Sequence, residues 1–234
     1  MVHRHAMNLI ELLIVIFIIA LLLALLFGSL NIAREKAVQI QCFNNLKQIV
    51  TASFGYSADF PAYPGYVSRR PYGDYLTGRT SGSSYITDEL LRCPGIVQWR
   101  GKPYERLRVY GIYEVDLADP WDASLDIRAG RFWKYRQGVI GDDMLFYFER
   151  VKVPSAVSFW RDCIFLENQS DVKPHWKYRR TITEDYGARL SHLRRSAGGY
   201  VDGHVESKTL AELHEEPLKI EAAFTVANEI EEIR

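Results

Sequence analysis

Hydrophobic residues form one long run at the start of the chain, at residues 7–30. Apart from Asn8 and Glu11, this stretch is apolar until Gly28 and Ser29. A helix of that length covers about 36 Å, which is enough to cross the roughly 30 Å hydrocarbon core of a bilayer. A buried helix of a soluble protein seldom runs this far without a polar face. The pattern therefore predicts a membrane-spanning helix at residues 7–30.

The pattern changes at residues 31–57, where apolar positions such as Ala37 and Leu46 recur with a period near 3.6. Charged and amide residues occupy the other faces, as in an amphipathic helix. Pro61 disfavours helix in the residues just ahead of it, so the helix is predicted to end before Asp59. The apolar run and this amphipathic stem together predict one helix of about fifty residues, or about 75 Å.

The remaining residues, 58–234, are expected to form a globular head. Residues 61–92 are rich in Pro, Gly, Ser and Tyr, which predicts a long surface loop with little regular structure. Later segments are short, aromatic or β-branched, and bounded by turn residues, which is typical of strands. The strands are predicted at residues 106–115, 144–153 and 157–166, with turns at residues 120–122 and 141–143. A long helix followed by short strands predicts an α+β fold with a mainly antiparallel sheet.

A hairpin is predicted near the end of the chain, where Asp202 and Gly203 separate two alternating runs. Asp-Gly suits a type I′ turn, which needs positive φ at both central residues. Asp202 is then expected to make the turn, His204 to point outward on a strand, and His192 to pack or hydrogen-bond near the hairpin. The alternative is that His192, Asp202 and His204 act as ligands or as an acid and base.

Glu11 is the residue that distinguishes among a signal peptide, an ordinary signal anchor and a specialised membrane helix as explanations of the apolar run. A secretory signal peptide has an apolar core of about 7–15 residues and a small-residue cleavage site. This run is longer, and residues 27–30 (FGSL) make a poor site. An ordinary signal anchor explains the length but not a carboxylate in the span, because a charge costs about 2.5–3.5 kcal/mol at the bilayer centre and less near the edge. A tolerated interfacial carboxylate is the simplest alternative to a functional one.

The sequence around Glu11, residues 3–13 (HRHAMNLIELL), resembles the leader junction of type IV prepilins and type II secretion pseudopilins. Members of that family carry a short basic leader, a small residue, and an apolar run whose fifth mature residue is glutamate. Cleavage after Ala6 would make Met7 the first mature residue and Glu11 the fifth. The family strongly favours Gly before the cut and Phe after it, whereas this chain has Ala6 and Met7 there.

The resemblance reaches the other end of the chain. Nine residues separate His192 from Asp202-Gly203, which resembles the histidine-x9-aspartate-glycine tail of many pseudopilin-like proteins with prepilin leaders. Further fragments of the same group lie between, at residues 33–37 (AREKA), Cys42 with 44–49 (NNLKQI), 92–94 (RCP), and 153–155 (VPS) with Asp162.

The resemblance implies a pilin-like fold and a structural role as a filament subunit. A prepilin peptidase would remove residues 1–6 on the cytoplasmic side and methylate the new amine. The other partners would be membrane lipid, further pilin-like subunits and an inner-membrane assembly platform of a type II secretion or type IV pilus system. Residues 58–234 would then lie outside the cytoplasm, with residues 31–57 as the stem. Charges flanking the span do not decide its orientation by themselves.

Glu11 has an expected role in assembly. In a filament the hydrophobic helices bundle away from lipid, and the charged amine of an incoming subunit needs a partner. The Glu11 carboxylate of a neighbour can supply it, because leaving either charge unpaired in an apolar setting costs several kcal/mol. Such a pair forms at only one axial offset between neighbouring subunits, so it disfavours every other register of the filament.

The net charge and the lack of common catalytic motifs limit the classes of function that the sequence supports. Lys+Arg and Asp+Glu number 29 each, so the formal net charge is zero and gives no reason to expect nucleic acid as a partner. The chain contains no GxSxG, no glycine-rich phosphate loop and no HExxH, so it is not expected to be an enzyme. Two rivals to the filament subunit are an unprocessed single-pass anchored binding protein and a membrane-tethered hydrolase.

The three cysteines, Cys42, Cys93 and Cys163, show neither CxxC nor a spacing to histidines that indicates zinc, and no metal is expected there. Three buried thiols, or one disulfide and a spare thiol, both fit. In an extracytoplasmic head a Cys42–Cys93 bridge is plausible, with Cys163 as the other candidate partner. Acidic turns at residues 116–122 and 142–143 could bind Ca²⁺, but they lack an EF-hand ligand series and are interpreted as solvated turn acids.

Overall fold

A computed structural model of the protein describes residues 9–80, 82–95, 110–138, 141–167, 171–182 and 186–233. Its dominant element is a helix of 51 residues, followed by short helices and many short strands. The helices are α1 (Leu9–Asp59), α2 (Tyr72–Leu76), α3 (Pro120–Ala123), α4 (Leu125–Ala129) and α5 (Leu210–His214). The strands are β1 (Tyr63–Val67), β2 (Arg70–Pro71), β3 (Gly111–Tyr113), β4 (Trp133–Gly138), β5 (Gly141–Phe146), β6 (Ser158–Arg161), β7 (Cys163–Glu167), β8 (Asp171–Pro174), β9 (Lys177–Tyr178), β10 (Tyr186–Arg189), β11 (Ser196–Tyr200), β12 (Val205–Lys208), β13 (Ala222–Phe224) and β14 (Ile230–Glu232).

The chain divides into two units, Met1–Ala37 and Val38–Arg234. The described part of the first unit is helical, and its large apolar side chains are exposed, with Phe17 at 65% and Leu25 at 71%. The most apolar window of α1 has a mean hydropathy of 3.3. Among the described residues, α1 is the helix long and apolar enough to cross a membrane.

In the second unit, one face of α1 is buried against the head. Cys42, Leu46, Ile49 and Val50 are almost fully buried, and Tyr56 follows one and a half turns later. With Ser53, which is also fully buried, positions 42, 46, 49, 53 and 56 lie three to four residues apart, as the periodicity predicts for the inner face of the stem. The helix ends at Asp59, where Phe60 stacks on Tyr56 with ring centroids 4.5 Å apart.

Three sheets make up the described head. Their strand orders are β2-β1-β5-β4, β14-β13-β10-β7-β8 and β12-β11-β6-β3-β9. Neighbouring strands run antiparallel except for the pairs β10–β13 and β3–β9. The expected α+β class, with a long N-terminal helix and mainly antiparallel sheets, is confirmed.

Aromatic side chains fill the centre of the head. Trp160, on β6, is fully buried and lies edge-on or tilted to Tyr63, Phe148 and Phe159, with ring centroids 4.8–6.1 Å apart. Phe54 of the stem approaches the same indole at 6.4 Å. Aromatic pairs at these separations add stability beyond their buried area. The stem and the sheets therefore share one core in this unit.

Several local predictions are wrong. The stretch 61–92 contains β1, β2, α2 and a 3₁₀ turn at Asp88–Leu91, because its tyrosines are buried in the core and order the backbone. The expected strand at 157–166 is two strands, which are separated at Asp162. The expected strand at 144–153 ends at Phe146, and part of the one at 106–115 lies outside the described residues. Residues 120–122 form the start of α3, because Asp119 caps the helix and proline occupies its first position.

The predicted hairpin exists as β11–β12, but its turn differs from the expected type. Gly203 has φ +97°, whereas Asp202 keeps a negative φ, so the turn is not type I′. The loop between the paired residues Tyr200 and His204 holds three residues, because the Tyr200 amide donates to the His204 carbonyl at 3.0 Å and the Gly203 amide donates to the Tyr200 carbonyl at 3.0 Å. Lys47 of the stem donates to the Gly203 carbonyl at 2.6 Å, which joins the tail hairpin to α1.

The close approach of β11 to the stem gives a first prediction. A Cβ on Gly199 would lie 2.6 Å from Val50 Cγ2, and valine is stiff at χ1. We expect Gly199→Ala to lower the free energy of unfolding by about 1–3 kcal/mol through overpacking. The control is Gly55→Ala, since its Cβ would meet Tyr85 at an ordinary 3.4 Å and alanine favours helix. Denaturant unfolding of the full-length protein in detergent, followed by tryptophan fluorescence, measures both. Equal stability of the two variants would contradict the packing.

Candidate functional site

His192, the histidine of the tail motif, lies in a tight turn after β10. His192 and Arg195 bond each other's backbone at 3.1 and 2.9 Å. Leu193 and Arg194, between them, have φ of +51° and +58°. That conformation costs a non-glycine residue about 1–2 kcal/mol, so the surrounding structure has to hold it in place. The turn leaves the His192 side chain buried, with 3% of the residue exposed.

His192 meets three other residues there, Cys42, Cys93 and Asp162, and we call these four the buried cluster. The ligand atoms of all four lie within 4.8 Å of one another. Cys42 and Asp162 are fully buried, and Cys93 is 5% exposed. The four residues come from distant parts of the chain and belong to the same unit.

The contacts within the buried cluster are short and lead from Cys93 through His192 and Asp162 to Cys42. His192 Nε2 lies 3.4 Å from Cys93 Sγ and 3.5 Å from Asp162 Oδ2. Cys42 Sγ lies 3.6 Å from Asp162 Oδ2 and 3.8 Å from Asp162 Oδ1. The same nitrogen of His192 therefore faces both a sulfur and a carboxylate oxygen.

Each member is positioned by a different element. Cys42 lies on the inner face of α1, and Cys93 follows the Asp88–Leu91 turn. Asn45 of α1 donates to the Arg92 carbonyl at 3.2 Å, which holds the Cys93 segment against the helix. Asp162 occupies the break between β6 and β7, where its backbone bonds to Ala197 and Arg189 at 3.2 and 2.9 Å.

Further polar groups surround the buried cluster. Tyr110 Oη donates to Cys42 Sγ at 3.2 Å, and the Gly95 amide donates to Cys93 Sγ at 3.3 Å. A Cβ on Gly95 would lie 2.9 Å from His192 Cε1, so glycine permits this approach. Arg189 is 4% exposed and interacts electrostatically with Asp162 and Cys93. The two sulfurs thus have hydrogen-bond donors, and a buried cation lies near the acid.

Burial and charge shift the pKa values of the cluster. Burial raises the pKa of the Cys42 thiol well above its ordinary value, and Cys93 and Asp162 reinforce the shift. Burial disfavours charge on Cys93 too, but hydrogen bonds with Cys42 and His192 outweigh it and lower the pKa of that thiol. Burial opposes the imidazolium of His192, yet hydrogen bonds with Asp162 and Cys93 raise its pKa to about 10. A thiolate at Cys93 beside a protonated His192 is therefore favoured, whereas ionisation of the Cys42 thiol is disfavoured.

A cysteine, a histidine and an aspartate together suggest a catalytic triad, but the geometry differs. In a triad the nucleophile and the orienting acid contact opposite nitrogens of the imidazole. Here Cys93 and Asp162 contact the same nitrogen, Nε2. Cys93 is also almost completely buried, whereas reactive cysteines are partly exposed. The arrangement therefore does not fit a nucleophile with its base.

The other tail residues lie apart from the buried cluster, in the hairpin loop. Asp202 Oδ1 accepts from the His204 amide at 3.1 Å and lies 2.5 Å from His204 Nδ1. His204 also stacks on Tyr200 at 4.1 Å. The tail motif therefore combines a turn at Asp202-Gly203 with one cluster residue, His192.

The acidic turns make other contacts. Asp119 pairs with Arg180, and Asp116 lies 3.1 Å from Arg179. Asp122 is buried and accepts from Tyr113 Oη at 2.7 Å. The interpretation of these carboxylates as solvated turn acids is therefore incomplete, because each of them pairs with another part of the protein. In the part of the chain that the structure describes, they do not form a group of metal-ligand spacing.

The remaining predicted site residues are only partly described. Ala6 and Met7 lie outside the described residues. Glu11 lies in the first turn of α1. Cys42 and Cys93 are unbridged thiols, as is Cys163, and the disulfide stays a prediction. Cys163 lies outside the cluster on β7, where its thiol contacts the His175 carbonyl at 2.5 Å.

A family model described as a protein of unknown function, DUF1559, matches residues 31–101. That stretch is less than half of the chain and contains two cluster residues, Cys42 and Cys93. No curated protein and no solved structure matches the chain. The match shows that the stem and the first part of the head are similar to that family.

Proposed function

We propose that the protein is a pilin-like structural subunit, anchored by α1 in the cytoplasmic membrane and assembled into a filament of a type II secretion or type IV pilus system. The observation that carries the proposal is helix α1 itself. A single helix of 51 residues begins with exposed apolar side chains and continues into an amphipathic segment buried against β-sheets. A plain membrane anchor has no need for such continuity, whereas a filament subunit uses the first part as filament core and the second as support for its head.

The leader and Glu11 extend the proposal to processing and assembly. The prepilin peptidase would cut between Ala6 and Met7 and methylate the new amine, with residues 1–6 on the cytoplasmic side and the head outside. The carboxylate of Glu11 in one subunit would then pair with the amine of the next. This pairing explains a carboxylate at a depth where lipid disfavours it.

The proposed role is not enzymatic. The cysteine, histidine and aspartate that come together in the head are buried and share one imidazole nitrogen, which is unsuited to attack on a substrate. The partners in this proposal are lipid, the peptidase, other pilin-like subunits and the assembly platform. The alternative to this proposal is that the protein is an unprocessed, membrane-anchored binding protein.

Processing gives a direct test, with the full-length chain expressed with and without a prepilin peptidase. We expect intact-mass spectrometry to show loss of residues 1–6 and one added methyl group when the peptidase is present. Ala6→Gly, which restores the residue that the family favours, is the matched variant and should be cut faster. If Ala6→Gly is cut while the parent keeps Met1, the parent is an unprocessed anchor and the proposal is wrong.

A further inference from the structure

We propose that the buried cluster is a structural zinc site, with Cys42, Cys93, Asp162 and His192 as its four ligands. This inference goes beyond the filament role and does not depend on it. Two thiolates, one imidazole and one carboxylate form a closed set of four, and Zn²⁺ in structural sites is bound by four such ligands in a tetrahedron.

The distances between the ligand atoms fit a tetrahedron around zinc. Zn–S bonds of about 2.3 Å and Zn–N or Zn–O bonds of about 2.0–2.2 Å place neighbouring ligand atoms about 3.3–3.8 Å apart. The sulfur of Cys93 and Nε2 of His192 are 3.4 Å apart, and Nε2 and Asp162 Oδ2 are 3.5 Å apart. Cys42 Sγ lies 3.6 Å from the same oxygen. Three edges of the tetrahedron therefore already have the required length.

The charge of the site also fits a divalent ion. Two thiolates and a carboxylate carry three negative charges, and Zn²⁺ neutralises two of them. The buried guanidinium of Arg189, which interacts with Asp162 and Cys93, opposes the third. On binding, the thiol protons and the proton of an imidazolium leave for solvent, and no oxidant or reductant is required.

The groups around the ligands act as an outer shell. The Gly95 amide and the Tyr110 hydroxyl donate to the two sulfurs at 3.3 and 3.2 Å. Such donors orient metal ligands and stabilise thiolates. The pair of thiolates favours zinc over Ca²⁺ or Mg²⁺, which take oxygen ligands. Exposure of the four residues is 5% or less, which leaves no open position for a substrate.

The consequence is that zinc would join α1 to three segments of the head. Cys42 belongs to the stem helix. Cys93 follows a 3₁₀ turn, Asp162 lies between β6 and β7, and His192 begins the tail turn. Since metal binds the folded arrangement and stabilises it by mass action, chelation should lower the melting temperature of the full-length protein.

The test uses the full-length protein, purified in detergent with reductant, stripped of metal and dialysed against Zn²⁺ alone. We expect one zinc per chain by elemental analysis and a higher melting temperature. Cys93→Ser should weaken zinc binding by more than about 10-fold, since even outer-shell changes cost about 10–100-fold. Cys163→Ser is the matched control, because Cys163 is buried outside the cluster, and it should keep its zinc.

Binding of Co²⁺ in place of zinc can be measured on the parent protein alone, so the result does not depend on whether a variant folds. The parent protein should show the intense visible bands of tetrahedral Co²⁺ and a thiolate charge-transfer band. The proposal would be overturned by the weak spectrum of octahedral Co²⁺, or by zinc binding equal in the parent and Cys93→Ser. A Cys42–Cys93 disulfide in the protein from native membranes, detected as a mass deficit of two hydrogens, would also overturn it.

Discussion

Glu11→Ala should reduce recovery of the protein in sheared filaments by more than about 10-fold while leaving the head intact. The incoming amine would lose its carboxylate partner in an apolar filament core, and an unpaired charge there costs several kcal/mol, against about 1.4 kcal/mol for each tenfold change. Removing the carboxylate should ease membrane insertion, so the total amount of protein should not fall.

The matched control for this variant is Glu35→Ala. Glu35 is another exposed carboxylate of α1, one that lies beyond the apolar run. Filament recovery and the melting temperature of the detergent-extracted protein are compared among the parent and the two variants. Normal filament yield from Glu11→Ala would contradict the assembly role, and a destabilised head would show that Glu11 acts in folding instead.

Trp160→Ala should lower the free energy of unfolding by about 3–5 kcal/mol, which is the usual cost of removing a large buried aromatic side chain. The indole is fully buried between Phe159, Phe148 and Tyr63 and is also approached by Phe54 of the stem. Its removal leaves a cavity in the core that the stem and the sheets share.

The control for Trp160→Ala is Ile127→Ala, since 74% of Ile127 is exposed and its truncation should change stability by less than about 0.5 kcal/mol. Urea unfolding of the full-length protein, followed by circular dichroism, reports both changes. A loss below 1 kcal/mol for Trp160→Ala would mean that the stem and the sheets are not packed on this residue.

The sequence predicts α1 well because its signals are local. Apolar continuity and the 3.6-residue period depend on near neighbours, and the buried residues Leu46, Ile49 and Val50 lie on the expected face. The β-strands were harder to predict because long-range contacts decide them. Tyr63 and Tyr72 become buried and order a stretch rich in Gly and Pro. The break at Asp162 reflects a carboxylate that contacts residues on two other segments, α1 and the tail turn.

The buried cluster could not be predicted from spacing. Zinc ligands in short motifs stand a few residues apart, whereas Cys42, Cys93, Asp162 and His192 are spread over most of the chain. One signal was nevertheless present, because each of the four lies in or beside a fragment that resembles pseudopilin-like proteins. The fold brings these separate fragments to one place, which the sequence pattern alone does not show.

The central claim, that this chain is a processed filament subunit, is tested most directly by its intact mass in the sheared filament fraction of the native cells. The account predicts that the protein is present in that fraction, begins at Met7 and carries one extra methyl group. Recovery of the protein only in the membrane fraction, with residues 1–6 still attached, would contradict it and identify an unprocessed anchor.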